Sequence, residues 1–134
     1  MSARIVRVGR AVTGLGLFAA RPIVNNAYIV TYRGKRIATA EANRRERSPA
    51  GAKYMFEIDR RWTIDGSSRR NLGRYINHAC APNAKAVLRK GQIVFVALRA
   101  IAPGDEITLD YGEEYFELYI APVGCRCAKC AGKK

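Results

Sequence analysis

Arg74-Tyr75-Ile76-Asn77-His78-Ala79-Cys80-Ala81-Pro82-Asn83 sets the hardest condition that this chain must meet in folding. Tyr75 and Ile76 call for burial, yet Asn77 and the chain's single histidine, His78, follow at once with strong hydrogen-bonding groups. An Asn-His pair taken out of water is costly unless each donor and acceptor finds a partner. The fold must therefore deliver polar partners to this stretch from elsewhere in the sequence. The stretch is either a polar knot that holds the fold or the lining of a site.

The rest of the chain supplies short strands. Arg4 to Val8 has strand character. Thr13-Gly14-Leu15-Gly16-Leu17-Phe18-Ala19 carries two glycines that permit a sharp turn or a close backbone approach. No Lys-Ser/Thr and no helix follow, which excludes a phosphate-binding loop. Ala27 to Tyr32 is rich in β-branched and aromatic residues and reads as a strand, and Arg33-Gly34-Lys35 as a turn. Thr39 to Arg47 holds good helix formers with Thr39 as a cap, and Ser48-Pro49-Ala50-Gly51 ends it. Tyr54 to Ile58 and Trp62 to Ile64 alternate around Asp59-Arg60-Arg61, the pattern of a hairpin. A second hairpin joins Lys85 to Leu88 with Gln92 to Leu98 through Lys90-Gly91. Ala102-Pro103-Gly104-Asp105 is a turn, Glu106 to Leu109 a strand, and Glu113 to Leu118 a helical turn. The 134 residues are enough for one domain with a real core. The sum is a mainly-β, α+β domain of small sheets, without the βαβ alternation of a Rossmann-type fold.

The chain reads as an intracellular protein, in cytoplasm or nucleoid, or in a nucleus. No apolar run approaches the roughly 20 residues of a membrane span, and no apolar segment of a signal peptide follows Met1 to Arg10. Its formal charge of +13 suggests nucleic acid or another anionic surface as a partner. Six of the eleven acids lie between Asp105 and Glu117, where there is no Lys or Arg. That local acidic surface is a candidate seat for a cationic partner, unless it merely balances charge within the fold. Cys125, Cys127 and Cys130 crowd the C-terminal end, with Cys80 far upstream. In a small intracellular protein such spacing reads as metal before disulfide, and four thiolates make a closed tetrahedral Zn²⁺ site. Free thiols or a disulfide are the alternatives.

Taken singly, His78 fits a structural histidine and Tyr111, before Gly112, a packing residue. Their order with the other motifs changes the weighing. Gly14-Leu15-Gly16-Leu17-Phe18, Tyr32-Arg33-Gly34, Tyr54-Met55-Phe56, Ile64-Asp65-Gly66, the Arg74–Asn83 stretch, Gly104-Asp105-Glu106-Ile107-Thr108-Leu109-Asp110-Tyr111-Gly112 and Cys125-x-Cys127 occur in one chain in this order. From about Val6 to Cys130 the sequence closely resembles the SET-domain protein lysine methyltransferases with a zinc-binding post-SET tail.

The resemblance implies a small β-rich fold in residues 4–119, with a C-terminal pseudo-knot that makes the Asn-His stretch and Asp110-Tyr111-Gly112 neighbours. Residues 120–134 would be the post-SET tail. It implies S-adenosylmethionine as cofactor, bound by Thr13, Gly14, Leu15, Gly16, Tyr54, Arg74, Asn77, His78, Tyr111 and Tyr115. Tyr111 would be the catalytic tyrosine and Tyr32 would help line a lysine channel. Cys80, Cys125, Cys127 and Cys130 would hold one Zn²⁺. The substrate would be a lysine in a basic protein tail, of a histone or another nucleic-acid-associated protein. This sequence departs from the family pattern in Thr31, where Glu is usual before the channel tyrosine, and in Ala79, where Ser is common. The tail is shortened to Cys-x-Cys-x-x-Cys. Leu109 replaces a Phe or Tyr that often tunes methyl number, and its lack of a hydroxyl favours more than one methyl. A free-standing minimal enzyme is implied.

The residue chemistry agrees. Methyl transfer to an amine is an in-line displacement that needs alignment more than covalent catalysis. The lysine must first lose a proton from a group of reference pKa about 10.4, and an aromatic channel would desolvate the ammonium and lower that value. Tyr111, with a phenol pKa of about 10, is a poor general base, so its role is orientation and electrostatic support, with the proton leaving through water. Asn77 offers donor and acceptor to the cofactor's amino and carboxylate groups, and the His78 backbone can read an adenine edge. A competing reading is a small basic zinc module that binds DNA or RNA through Arg33-Lys35-Arg36, Arg44-Arg45-Arg47, Arg60-Arg61 and Arg69-Arg70. The aromatics do not interleave with those clusters as they do in single-strand binders.

Overall fold

Short strands dominate the structure, a computed structural model that describes residues 4–12, 14–45 and 54–112. In chain order the strands are β1 (Val6–Ala11), β2 (Gly14–Ala19), β3 (Tyr28–Tyr32) and β4 (Lys35–Ala38), then β5 (Met55–Glu57) and β6 (Trp62–Asp65). There follow β7 (Asn77–His78), β8 (Ala84–Arg89), β9 (Gln92–Ala97) and β10 (Glu106–Leu109). One α-helix, α1 (Thr39–Arg45), and a 3₁₀ turn over Leu72–Tyr75 complete the described elements. The mainly-β expectation holds over these residues. Among them no helix is long and apolar enough to cross a membrane. The helical turn expected over Glu113 to Leu118, the helix end at Ser48 to Gly51 and the cysteine tail lie outside the described residues.

The chain divides into two compact units, one of residues 1–29, 75–85 and 96–134, the other of residues 30–74 and 86–95. The first unit carries a four-stranded sheet in the order β1-β2-β10-β7. β1 and β2 pair antiparallel from Val6↔Ala19 to Ala11↔Gly14, and β10 continues the sheet against β2 through Ile107↔Leu17. Leu17 and Ile107 have no exposed surface. Fully burying side chains of this size is worth about 1.5–3 kcal/mol each, so this register pair anchors the sheet. Of the sharp turn or close backbone approach that the glycines of Gly14–Ala19 permit, the structure shows the close approach: the segment is a strand throughout, and a Cβ on Gly16 would meet Glu106 and Ala11. Gly14 alone takes the left-handed region, with φ of +122°.

The second unit holds the antiparallel sheet β4-β6-β5. The expected hairpin is present: Phe56 pairs with Ile64, and the Asp59 carboxylate accepts hydrogen bonds from the Arg61 and Trp62 amides, each at 2.8 Å. Strand β4 was not expected; its Lys35 belongs to the sheet rather than to a turn. Helix α1 begins at Thr39 as expected, but the Thr39 hydroxyl reaches the Asp59 carbonyl (3.0 Å) and the Thr63 hydroxyl (2.9 Å), tying the helix start to the hairpin. A cap would instead bond the helix's own first amides. A third sheet has the order β3-β9-β8. Its β8–β9 turn has φ of +50° at Lys90 and +76° at Gly91, the paired left-handed geometry of a two-residue type I′ hairpin.

Asp59 gives this hairpin a pH dependence. Its pKa is lowered, first by the Trp62 amide bond, then by the Arg61 amide, with smaller help from the Arg36 and Arg61 charges. A depressed carboxylate stabilises the fold above its unfolded value, near 3.8, and that contribution disappears as pH falls through the lower folded value. Melting temperatures measured from about pH 5 down to about pH 2 should fall more steeply for the native chain than for Asp59→Ala. Parallel curves would remove Asp59 from the acid transition.

Candidate active site

The first unit assembles Leu15, Gly16, Asn77, His78, Cys80 and Tyr111. Strand β7 is only two residues long and exists because β10 pairs with it in parallel, Thr108 against Asn77 and Leu109 against His78. The Ala79 amide extends this contact to the Leu109 carbonyl at 3.0 Å. Asn77 sits with its amide nitrogen donating to the Leu15 carbonyl (3.0 Å) and to the Glu106 carboxylate (2.8 Å). Two acceptors on one atom fix the amide orientation. Its oxygen is then the group presented for accepting a donor, such as an ammonium.

Gly16 permits this arrangement. A Cβ at this position would lie 2.6 Å from Glu106 Oε2, 3.0 Å from Ala11 Cβ and 3.2 Å from Asn77 Nδ2. The requirement is close approach rather than unusual backbone. Gly16→Ala should therefore push the Glu106 carboxylate aside and release the Asn77 amide. With Asn77 as the S-adenosylmethionine ligand that the resemblance implies, titration calorimetry with S-adenosylmethionine should show affinity reduced by about tenfold, the effect of losing roughly one good hydrogen bond to a charged group, with a much smaller change in melting temperature. Unchanged affinity would detach Asn77 from cofactor binding.

His78 is held by its neighbours. Nδ1 accepts from the Tyr111 amide at 3.1 Å, and Nε2 lies 3.5 Å from Cys80 Sγ. A nitrogen that accepts an amide hydrogen carries no proton, so the neutral ring is protonated at Nε2 and directs it to the sulfur. Burial lowers the His78 pKa, and the Asp110 carboxylate, 3.9 Å from Nδ1, opposes that only in part. The ring also meets Tyr111 edge-on, with centroids 5.5 Å apart. The Tyr111 hydroxyl donates to the Ile76 carbonyl. These bonds are the partners that the Arg74–Asn83 stretch required.

Two residues of this cluster had no role in the sequence reading. Glu106 orients Asn77. Asn83, only 7 % exposed, accepts from the Thr108 amide and donates to the Glu106 carbonyl, each at 2.8 Å. Both stand inside recognised motifs, but their partners are more than twenty residues away, beyond any local pattern.

The second unit contains the other predicted site residues. Tyr32 is buried, with Phe56 at 5.1 Å and Phe95 at 5.9 Å between ring centroids, and its hydroxyl donates to the Tyr54 carbonyl at 2.6 Å. The Arg74 guanidinium lies over the Tyr54 ring, 4.3 Å from its centroid, and bonds the Ser67 carbonyl. Tyr32, Tyr54 and Arg74 are thus brought together. Thr13, Tyr115, Cys125, Cys127 and Cys130 lie outside the described residues. Cys80 is half-buried, with its sulfur 3.5 Å from His78 Nε2. Among the described residues no three His, Cys, Asp or Glu side chains gather as a metal site.

A two-residue Asn-His strand paired in parallel with the strand that leads into Tyr111, at the edge of a small sheet, defines the class. Residues 14–112 match the family model described as "SET domain", and this chain belongs to that family. Its relatives include "Histone-lysine N-methyltransferase, H3 lysine-4 specific" of Yarrowia lipolytica, 35% identical over 130 residues that cover 87% of this chain and 11% of that protein. The protein of the same name in Aspergillus fumigatus is 38% identical over 115 residues, 79% of this chain and 9% of that one. "Histone-lysine N-methyltransferase 2D" of Homo sapiens is 34% identical over 123 residues, 87% of this chain and 2% of that one. The chain therefore spans about a tenth or less of the length of these relatives.

Proposed function

We propose that the chain is a protein-lysine N-methyltransferase that uses S-adenosylmethionine and acts on a lysine in a basic protein tail, a histone or another nucleic-acid-associated protein, inside the cell. The observation that carries this reading is the meeting of Asn77-His78 with Asp110-Tyr111 through the β7–β10 pairing and the Tyr111–Ile76 bond. When bound, the cofactor supplies an electrophilic methyl group on a sulfonium. By the family resemblance, Thr13, Gly14, Leu15, Gly16, the His78 backbone, Tyr54, Arg74 and Tyr115 would hold it, and Asn77 Oδ1 would accept from its ammonium. Tyr111 and Tyr32 orient the target amine. Because the Tyr111 proton is engaged by the Ile76 carbonyl, the phenol oxygen meets the amine as an acceptor, and the lysine proton leaves to water. Leu109, buried and paired with His78, adds no hydroxyl to hold the amine, which favours more than one methyl.

The test is transfer of labelled methyl from S-adenosylmethionine to a panel of basic proteins, with cofactor binding measured in parallel. Label in lysine supports the reading; neither transfer nor cofactor binding overturns it.

Residues 4–119 form the SET domain and 120–134 a post-SET tail. Cys80, Cys125, Cys127 and Cys130 would hold one Zn²⁺, whose chemistry is that of a closed structural ion. Because Cys80 is two residues from His78, metal loss loosens the turn that faces the cofactor. Chelation should lower melting temperature and weaken cofactor affinity together. Removal of the metal with unchanged affinity would break that coupling, and a metal content near zero in reduced protein would remove the site.

A further inference from the structure

The charge of this chain is unevenly divided. The second unit holds 14 Lys and Arg against 5 Asp and Glu, a net of +9, and the first holds 10 against 6, a net of +4. Within the second unit part of that charge converges on one aromatic residue. The Arg61 guanidinium lies 5.4 Å from the Trp62 ring centroid and that of Arg36 5.9 Å. Arg36 also donates to the Gly91 carbonyl at 2.9 Å, which brings the tip of the β8–β9 hairpin, with Lys90, to the same place. Arg36, Arg60, Arg61 and Lys90 are exposed, and Trp62 is half-buried, with the Arg36 and Arg61 guanidiniums over its ring.

Strand register keeps acids off this face. Arg36 pairs with Ile64 and Ala38 with Trp62, so these four share one side of the sheet. Glu57 pairs with Thr63 and Asp65 with Lys35, on the opposite side. Among the described residues, Asp59 is the acid beside these cations; the Arg61 and Trp62 amides hold its carboxylate in the turn, and its charge offsets one of the four positive charges. Guanidiniums held against an indole lose less freedom on binding an anion than solvated ones do. Arg36 and Arg61 are therefore positioned for phosphate.

We propose that this face, Arg36, Arg60, Arg61 and Lys90 around Trp62, binds the phosphate backbone of a nucleic-acid duplex without reading its sequence. Single strands are bound through stacking platforms interleaved with basic residues. Among the described residues the aromatic shown in this cluster is Trp62, and two guanidiniums already lie on it, which favours backbone contact over base stacking. The surface goes beyond methyl transfer and does not rest on it. It would hold the protein beside a polyanion by a salt-dependent, sequence-independent attraction.

The test uses the full chain and fluorescence anisotropy with a labelled mixed-sequence DNA duplex, a duplex RNA, a single strand and polyglutamate. With about four phosphate contacts, log affinity for duplex DNA should fall against log salt with a slope of about −3 to −4. Arg36→Glu/Arg61→Glu should reduce affinity by about tenfold or more and flatten the slope by about 2. Arg60→Glu/Lys90→Glu, at exposed turn positions, should do the same with melting temperature unchanged, which keeps the test valid if the first pair disturbs folding. Arg10→Glu/Arg21→Glu in the first unit, an equal change of charge, should cost much less. Equal loss in all three variants overturns the site, as does no duplex binding at low salt. Tighter binding of the single strand, lost in Trp62→Ala, overturns the duplex mode, and equal affinity for polyglutamate overturns nucleic acid as the partner. Equal binding of the two duplexes supports recognition of the backbone alone.

Discussion

Tyr111→Phe should lower methyl transfer by about 100-fold or more, the scale of rate lost when a reacting group is misplaced by an ångström, while the fold stays almost as stable. The hydroxyl donates to the Ile76 carbonyl, and the ring meets His78 at 5.5 Å. Phenylalanine keeps the ring contact and the backbone bond from the Tyr111 amide to His78 Nδ1, because neither uses the hydroxyl. The stability loss is then one hydrogen bond, about 1 kcal/mol. The catalytic loss is larger because the amine has to be held in line with the scissile bond. Single-turnover transfer separates the two: a slow chemical step with cofactor affinity unchanged is the expected split. A variant that keeps more than about a third of the native rate would reassign Tyr111 to packing, since loss of an orienting group costs far more than that.

Much of this arrangement was legible in the sequence, and the reason differs by element. Both hairpins were read correctly because their turns are local: Asp59 closes one through its own neighbours' amides, and Lys90-Gly91 supplies left-handed backbone for the other. Strand β4 was not read, because Lys35-Arg36-Ile37-Ala38 has little strand character of its own and exists by pairing with β6, about 27 residues away in the chain. The turn expected at Arg33-Gly34-Lys35 has the same origin. Gly34 is needed there because a Cβ would fall 2.0 Å from the Asp65 carbonyl, a tertiary contact rather than a turn requirement. For the site, the residue types and their order were legible through the family resemblance, whereas Glu106 and Asn83 were not assigned. A carboxylate in Gly-Asp-Glu reads as surface charge until the fold brings it to Asn77.

Asn83→Ala should be strongly destabilising, and its effect should reach Tyr111. The Asn83 side chain closes a reciprocal pair on β10, accepting from the Thr108 amide and donating to the Glu106 carbonyl. Its own amide bonds Thr108 Oγ1 at 3.2 Å, and its carbonyl takes the Leu98 amide at 2.8 Å. Alanine removes both side-chain bonds and leaves a buried N–H and C=O without partners, at a cost of about 3 kcal/mol. For a chain of this size that lowers the melting temperature by roughly 10 °C. Asn83→Asp discriminates the cause. It keeps the acceptor for Thr108 but sets a carboxylate against the Glu106 carbonyl, so a general demand for polarity predicts rescue and the specific pair predicts none. Because β10 also holds β7 and leads directly into Tyr111, loosening it should raise the cofactor dissociation constant and slow transfer even at temperatures where the variant remains folded. Native affinity and rate in a folded but less stable Asn83→Ala protein would confine Asn83 to stability and separate the β10 clamp from the site.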